Sequence, residues 1–271
     1  MKFTIAGNLV NDKIKKSIPV ITFHKVDPSF EWGVTRVTPR QFRKIVKNIK
    51  DHGYESINLS EVFQNRENIP DKPVVFTFDD AYESVYEYAV PVLKESGFSA
   101  VFFVITDFVG KENLWDVNLG GLHFKHMTWS QIREVQKSGF EIGSHTVSHA
   151  DLTRLDKRRV KREIFESKDK LQQNIGTEIK YISFPFGRYN DCVIDLCREA
   201  GYMGACSYWV HKEDAGKNFV IPRRAWYLFD PWFMIDSKMG NGFAGKIEEI
   251  KLRSINFFSH GTALLKPAVK N

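Results

Sequence analysis

The segment Val74-Val75-Phe76-Thr77-Phe78-Asp79-Asp80 (VVFTFDD) is an apolar run of strand length that stops on two adjacent carboxylates. β-Branched and aromatic residues in so short a run read as a buried strand. Residues 82–96 follow as a helical stretch closed by Gly97, a C-cap residue. The same unit recurs in both directions. Apolar runs lie at 19–24, 100–105, 140–143, 181–184, 203–206 and 255–259. Helical stretches lie at 39–52, with Phe42, Ile45, Val46 and Ile49 at helical spacing, and at 129–138, 155–175 and 191–200, the last three each followed by glycine. Alternation of this kind predicts an α/β fold with a parallel sheet, closed or nearly closed into a TIM-barrel-like structure. An open doubly wound sheet is the alternative. No G-x-G-x-x-G follows the first strand, so dinucleotide binding has no support.

At 271 residues the chain is near the upper limit for one hydrophobic core. No repeat or low-complexity linker divides it, so a single domain is expected. Hydrophobic residues at 42% and charged residues at 27% exclude extensive disorder. The most apolar window, 98–109, is broken by Thr106 and Asp107 and falls short of the ~20 residues of a membrane span. The N-terminal apolar stretch is interrupted by Asn8, Asn11 and Asp12 and does not read as a signal peptide. Cys192, Cys197 and Cys206 are too few for a disulfide scaffold and lack zinc-knuckle spacing. The net charge is +6, and residues 154–162 hold six Lys or Arg. Glu163, Glu166 and Asp169 follow and can pair along the helix, so the cluster reads as a solvated face. No nucleic-acid partner is expected.

The candidate chemistry sits where apolar runs end. VVFTF ends at Asp79 and Asp80; FEIGS ends at His145, with His149 four residues on; YISF ends at Pro185-Phe186-Gly187; INFFS ends at His260. Parallel α/β folds form their sites at the C-terminal ends of strands, so two carboxylates and three imidazoles are delivered to one rim. Taken singly, Asp79-Asp80 could cap a helix, and the histidines could be hydrogen-bonded loop residues. Together, two histidines and a carboxylate make a three-ligand metal site with open positions. A second carboxylate and a third histidine supply a base and an acid. The parallel pattern argues against the non-haem iron oxygenases, which use a similar triad.

These residues resemble the polysaccharide deacetylases of carbohydrate esterase family 4, the NodB-homology domain. Thr77-Phe78-Asp79-Asp80 is similar to that family's T-F-D-D motif, His145-Thr146-Val147-Ser148-His149 to its H-[ST]-x-x-H motif, and Phe184-Pro185-Phe186-Gly187 to its groove motif. Phe257-Phe258-Ser259-His260 resembles the last motif, and residues 19–26 (PVITFHKV) resemble the opening of many members. The resemblance implies a distorted (β/α)7 barrel over 18–265, with an extension at 1–17 and a tail at 266–271. It implies a hydrolase that deacetylates an acetylated glycan, first of all one that contains N-acetylglucosamine. Acetylxylan esterase and an inactive carbohydrate-binding domain are the alternatives.

The resemblance also implies roles. Asp80, His145 and His149 hold a divalent metal, Zn²⁺ first, with Co²⁺, Ni²⁺ or Mn²⁺ as alternatives; Asp79 is the base and His260 the acid. Pro185, Phe186 and Gly187 form a groove wall, with a backbone N–H near Phe186 at the oxyanion. Many members hold the base with an arginine at the position of Ser183, so Arg223 or Arg224 is expected to replace it. Trp115, Trp226, Asp230 and Trp232 are candidate substrate contacts. Family members mostly act outside the membrane, which leaves the compartment of this chain open.

Overall fold

The structure, a computed structural model, describes residues 18–29, 34–64, 69–113, 123–211 and 219–239. Strand β1 (Val20–Phe23) is followed by a short parallel pair, β2 (Lys25–Val26) and β3 (Arg36–Val37). Then come α1 (Pro39–Asp51), β4 (Glu55–Ser56), α2 (Leu59–Phe63), β5 (Pro73–Phe78) and α3 (Glu83–Ser96). The chain continues through β6 (Val101–Val104), α4 (Trp129–Lys137), β7 (Glu141–Ser144), α5 (Lys157–Ile175), β8 (Tyr181–Ser183) and α6 (Asp191–Glu199). The described residues end with β9 (Gly204–Ser207), β10 (Val220–Pro222), β11 (Arg224–Ala225) and α7 (Ile235–Lys238).

Eight of these strands form one path in the order β10-β9-β8-β7-β6-β5-β1-β11, and each ladder between them is parallel. The two ends of this path are halves of a single run, 220–225, interrupted only at Arg223. Its first half pairs with β9 and its second with β1. The sheet therefore nearly closes on itself, which is a barrel and not the open doubly wound sheet. The run expected at 255–259 lies outside the described residues.

Helix boundaries follow from caps. Thr38 Oγ1 accepts from Gln41 N at 3.1 Å, Pro39 occupies the first turn, and α1 buries Phe42, Ile45, Val46 and Ile49. α5 begins at Lys157 and not at Leu155, because Asp156 caps it through Arg159 N (3.0 Å). Gly97 and Gly176 end α3 and α5 in the left-handed conformation, with φ 71° and 73°.

The period-two alternation of the strands sorts the barrel into layers. Val20, Val75, Val101, Phe103, Tyr181, Cys206 and Ile221 form one buried cluster inside the barrel. Phe23, Phe78, Phe102 and Ile142, one residue out of step, pack with Phe42, Val85, Ile132 and Ile164 of the surrounding helices. α2 closes the floor: Phe63 stacks on Tyr181 (5.2 Å between centroids), and a Cβ at Gly204 would lie 2.3 Å from the Phe63 ring. Two residues further along four of these runs from the apolar layer, the inward positions turn polar: Thr22, Thr77, Ser183 and Arg223, all buried.

Candidate active site

Asp79 continues the inward series Val75, Thr77, and its N–H donates to the Phe23 carbonyl at 2.9 Å, carrying the β1–β5 ladder to the rim. Strict alternation would aim Asp80 at the helices. Instead Asp80 and Ala81 adopt φ 68° and 51°, in the left-handed region that non-glycine residues rarely enter. The reversal is held from outside. His126 Nδ1–H donates to the Asp80 carbonyl at 2.7 Å, and Met127 N donates to Ala81 O at 2.8 Å.

The turned Asp80 carboxylate meets two imidazoles. Its Oδ1 lies 3.5 Å from His145 Nε2 and 3.7 Å from His149 Nε2, and all three side chains are buried. Two donors bound at ~2.1 Å to one ion with tetrahedral angles stand ~3.4 Å apart; the two Asp80–imidazole distances are close to this and the three donor atoms lie within 4.8 Å of one another, a group that could hold a metal ion. His145 Nδ1–H donates to the Ser183 carbonyl at 2.8 Å, which leaves the Nε2 lone pair facing Asp80. Burial also pushes the His145 imidazole down, against the pull of Asp79, and so favours the neutral form that binds metals.

Asp79 faces the same space, its Oδ2 4.0 Å from His145 Nε2. Arg223 grips it from the other side. NH1 donates to Oδ1 and NH2 to Oδ2, each at 2.7 Å, a bidentate fork with no exposed surface on the arginine side chain. The second N–H of NH2 reaches Ser183 Oγ (2.8 Å), and that of NH1 is shared between Thr22 Oγ1 (3.1 Å) and Thr77 Oγ1 (3.2 Å). Burial alone would raise the Asp79 carboxyl. The guanidinium, with His145 next, more than reverses this and holds it well below the usual carboxylate range. Of the two candidate arginines it is Arg223 that pairs with Asp79. Arg224, the next residue on the strand, does not.

The third side of the site is the Phe184–Gly187 turn. Phe186 has φ 57°, and its ring lies 4.8 Å from that of His149. Gly187 has φ 66°, and a Cβ there would come within 2.7 Å of the Tyr208 ring. The Tyr208 hydroxyl lies 3.2 Å from His24 Nε2, and its ring 5.6 Å from the Arg223 guanidinium. His24 and Tyr208 follow β1 and β9. Motif reading does not single them out, although each stands immediately after the C-terminal end of its strand.

Two expected substrate contacts are corrected. Trp226 has no exposed surface, stacks on Phe23 (6.2 Å) and donates through Nε1 to the Asp230 carbonyl (3.3 Å), so it offers no face to a sugar. Asp230 is buried too. Its Oδ2 accepts from Tyr227 N (2.9 Å) and from the wholly buried Lys238 (2.5 Å), which makes it an internal tie. Trp232 is 40% exposed, but its carbonyl accepts from Asn48 near the end of α1, which sets it on the helical flank. Trp115 and His260 lie outside the described residues.

The polar cluster thus caps a parallel barrel at its C-terminal rim, where barrel enzymes carry their sites. Residues 66–205 match the polysaccharide deacetylase family, and the chain belongs to it. It is 29% identical over 189 residues to the Bacillus subtilis (strain 168) protein YxkH, covering 69% of this chain and 62% of that one. It is 27% identical over 176 residues to a Staphylococcus aureus (strain MRSA252) poly-β-1,6-N-acetyl-D-glucosamine N-deacetylase, covering 61% and 58%. The chain therefore spans about three fifths of the length of these curated relatives. The fold is similar to that of the Streptococcus pyogenes deacetylase PplD, solved in complex with acetate, with TM-score 0.70 and 24% identity over 82% of this chain and 97% of that one. No helix among the described residues is long and apolar enough to cross a membrane.

Proposed function

We propose that the protein is a metal-dependent hydrolase that removes acetyl groups from a polysaccharide, with an N-acetylglucosamine polymer as substrate. The observation that carries this reading is the pairing of two differently prepared carboxylates at one rim. Asp80 joins His145 and His149 within metal-binding reach, while Asp79, immediately before it, is reserved by Arg223. Family membership supports the reaction, and the name of the staphylococcal relative supports the glycan.

Asp80, His145 and His149 would hold the cation, which when bound acts as a Lewis acid and brings the pKa of a water toward ~7. Asp79 takes a proton from the water as its oxygen attacks the acetyl carbonyl carbon. Arg223 keeps Asp79 ionised between turnovers and fixes both its oxygens. The backbone near Phe186 borders the developing oxyanion, and its left-handed turn sets the direction of that wall. His260 is assigned, on the resemblance alone, to protonate the departing sugar nitrogen. The balance is one water and one acetamide giving acetate and a free amine. The test is acetate release from poly-β-1,6-N-acetylglucosamine, chitin-type oligomers and acetylated xylan by metal-depleted protein, with and without added Zn²⁺, Co²⁺, Ni²⁺ or Mn²⁺. Metal-restored release from the glucosamine polymers is expected; no release from any of these glycans under any metal overturns the proposal.

A further inference from the structure

His145 and His149 are joined by three residues that belong to no strand or helix. The turn contains two left-handed non-glycine residues, Thr146 (φ 69°) and His149 (φ 58°). Such conformations persist only where the surroundings over-determine them. Four consecutive backbone amides, 146 to 149, all donate to side chains here. Thr146 N reaches Ser144 Oγ (3.1 Å) and His149 N reaches Thr146 Oγ1 (3.1 Å). The middle two, Val147 N and Ser148 N, both donate to one oxygen of Glu163, at 2.8 and 2.9 Å. The other carboxylate oxygen accepts from Ser148 Oγ at 2.6 Å.

Glu163 lies on α5 directly after the basic run, where the charge pattern suggests a surface pair. Instead it is 8% exposed and faces the histidine turn, while Glu166, one turn on, takes the exposed ion pair with Arg162 (3.1 Å). Successive N–H groups pointing at one anion form a concave nest, and a carboxylate fills it with charge-assisted bonds. The amides in the middle of the turn are thus anchored to α5 through a single side chain, while the Thr146 and Val147 carbonyls accept from Thr106 N (3.2 Å) and Asp107 N (3.0 Å) after β6.

We infer that Glu163 is a positioning residue that sets the metal affinity of the site by fixing the turn that spaces His145 from His149; this rests on the metal-dependent reading above. It is not one of the three candidate donors, Asp80, His145 and His149. Its effect passes through the angle between the two imidazoles, and outer partners of metal ligands are worth about 10–100-fold in affinity.

The experiment is zinc competition against a chromophoric chelator, on folded protein well below its melting temperature, for wild type, Glu163→Ala, Glu163→Gln and Ser148→Ala. Wild type is expected to take up one zinc. Glu163→Ala should bind it ~10–100-fold more weakly, with activity recovered by excess zinc. Glu163→Gln, which keeps an acceptor of the same reach, should recover much of the affinity. Ser148→Ala, which removes one of three donors and leaves the carboxylate, should lose a smaller factor and stands in if Glu163→Ala does not fold. Wild-type zinc affinity in Glu163→Ala and Ser148→Ala, whatever their melting temperatures, overturns the inference while leaving the proposed function intact. Failure of wild type to take up zinc defeats the metal reading itself and this inference with it.

Discussion

Arg223 and Asp79 meet through two parallel hydrogen bonds of 2.7 Å, across the one place where the barrel strand 220–225 changes partner. One residue thereby ends the pairing with β9, begins the pairing with β1 and neutralises the carboxylate at the rim.

Removing that cation should cost both stability and rate. Arg223→Ala leaves Asp79 as an uncompensated buried charge, and breaking a buried pair from one side costs about 3–5 kcal/mol. Burial then pushes Asp79 toward its protonated form. We expect a lower melting temperature and a fall in kcat that exceeds any rise in KM. Arg223→Lys, which keeps the charge and loses the fork, should fall between. Melting curves beside acetate-release kinetics check this, and wild-type kcat in Arg223→Ala would remove Arg223 from the mechanism.

The two adjacent aspartates should separate cleanly. Asp79→Asn is expected to retain metal while losing on the order of 10²–10⁴-fold in rate, the usual size of a general-base effect. Asp80→Asn should lose metal first and regain part of its activity in excess metal. Metal content measured beside turnover decides between them; an empty Asp79→Asn and a full Asp80→Asn would exchange the two roles.

His126 gives a pH dependence of stability. Burial lowers it from 6.5 to about 4, although its bond to the Asp80 carbonyl pulls the other way. Between those values the unfolded chain binds a proton that the folded chain refuses. Stability therefore falls as pH drops from 6.5 to about 4, by up to ~3 kcal/mol from this group, and the group adds no further loss below that range. Chelator-treated His126→Gln should show a shallower slope across that window. Equal slopes in wild type and variant would mean His126 titrates normally in the fold.

Two glycines with similar φ should respond differently to alanine. At Gly176 (φ 73°) an added Cβ would have nothing within 4 Å, so Gly176→Ala should cost only the left-handed penalty of about 1–2 kcal/mol and leave kinetics unchanged. At Gly187 (φ 66°) the same atom would meet Tyr208 at 2.7 Å, with the Tyr208 backbone N at 3.1 Å. Gly187→Ala should cost more and also slow turnover, because Phe186 must move with it. Comparable kinetics for both variants would show that the Phe184–Gly187 turn does not shape the site.

The strand ends are legible in the sequence because parallel strands buried on both faces are continuous apolar runs, and a polar residue that interrupts such a run marks the rim. This locates Asp79, Asp80, His145, His149 and the Phe184–Gly187 turn. Near-closure is expected from the number of strand–helix units, but the segment that makes it is not legible. Residues 220–225 (VIPRRA) carry a proline and two arginines, and only pairing with different neighbours on its two halves makes a strand of them. The choice between Arg223 and Arg224 depends on which side of that bent strand faces inward, which composition does not encode. Trp226 and Asp230 mislead because a tryptophan and a carboxylate in a loop look alike whether they meet solvent or each other. Glu163 misleads for the opposite reason: on a heavily charged helix, an acid turned inward has no local mark.

The bent strand also sets an order in time. Synthesis delivers Thr22, Thr77, Asp79, Asp80, His145, His149 and Ser183 before Arg223 leaves the ribosome. Until then the nascent chain holds Asp80, His145 and His149, and Asp79 is without its counter-ion. The guanidinium arrives with the segment that pairs with both β9 and β1, so one residue lies at the seam of the described sheet and supplies the counter-ion of Asp79.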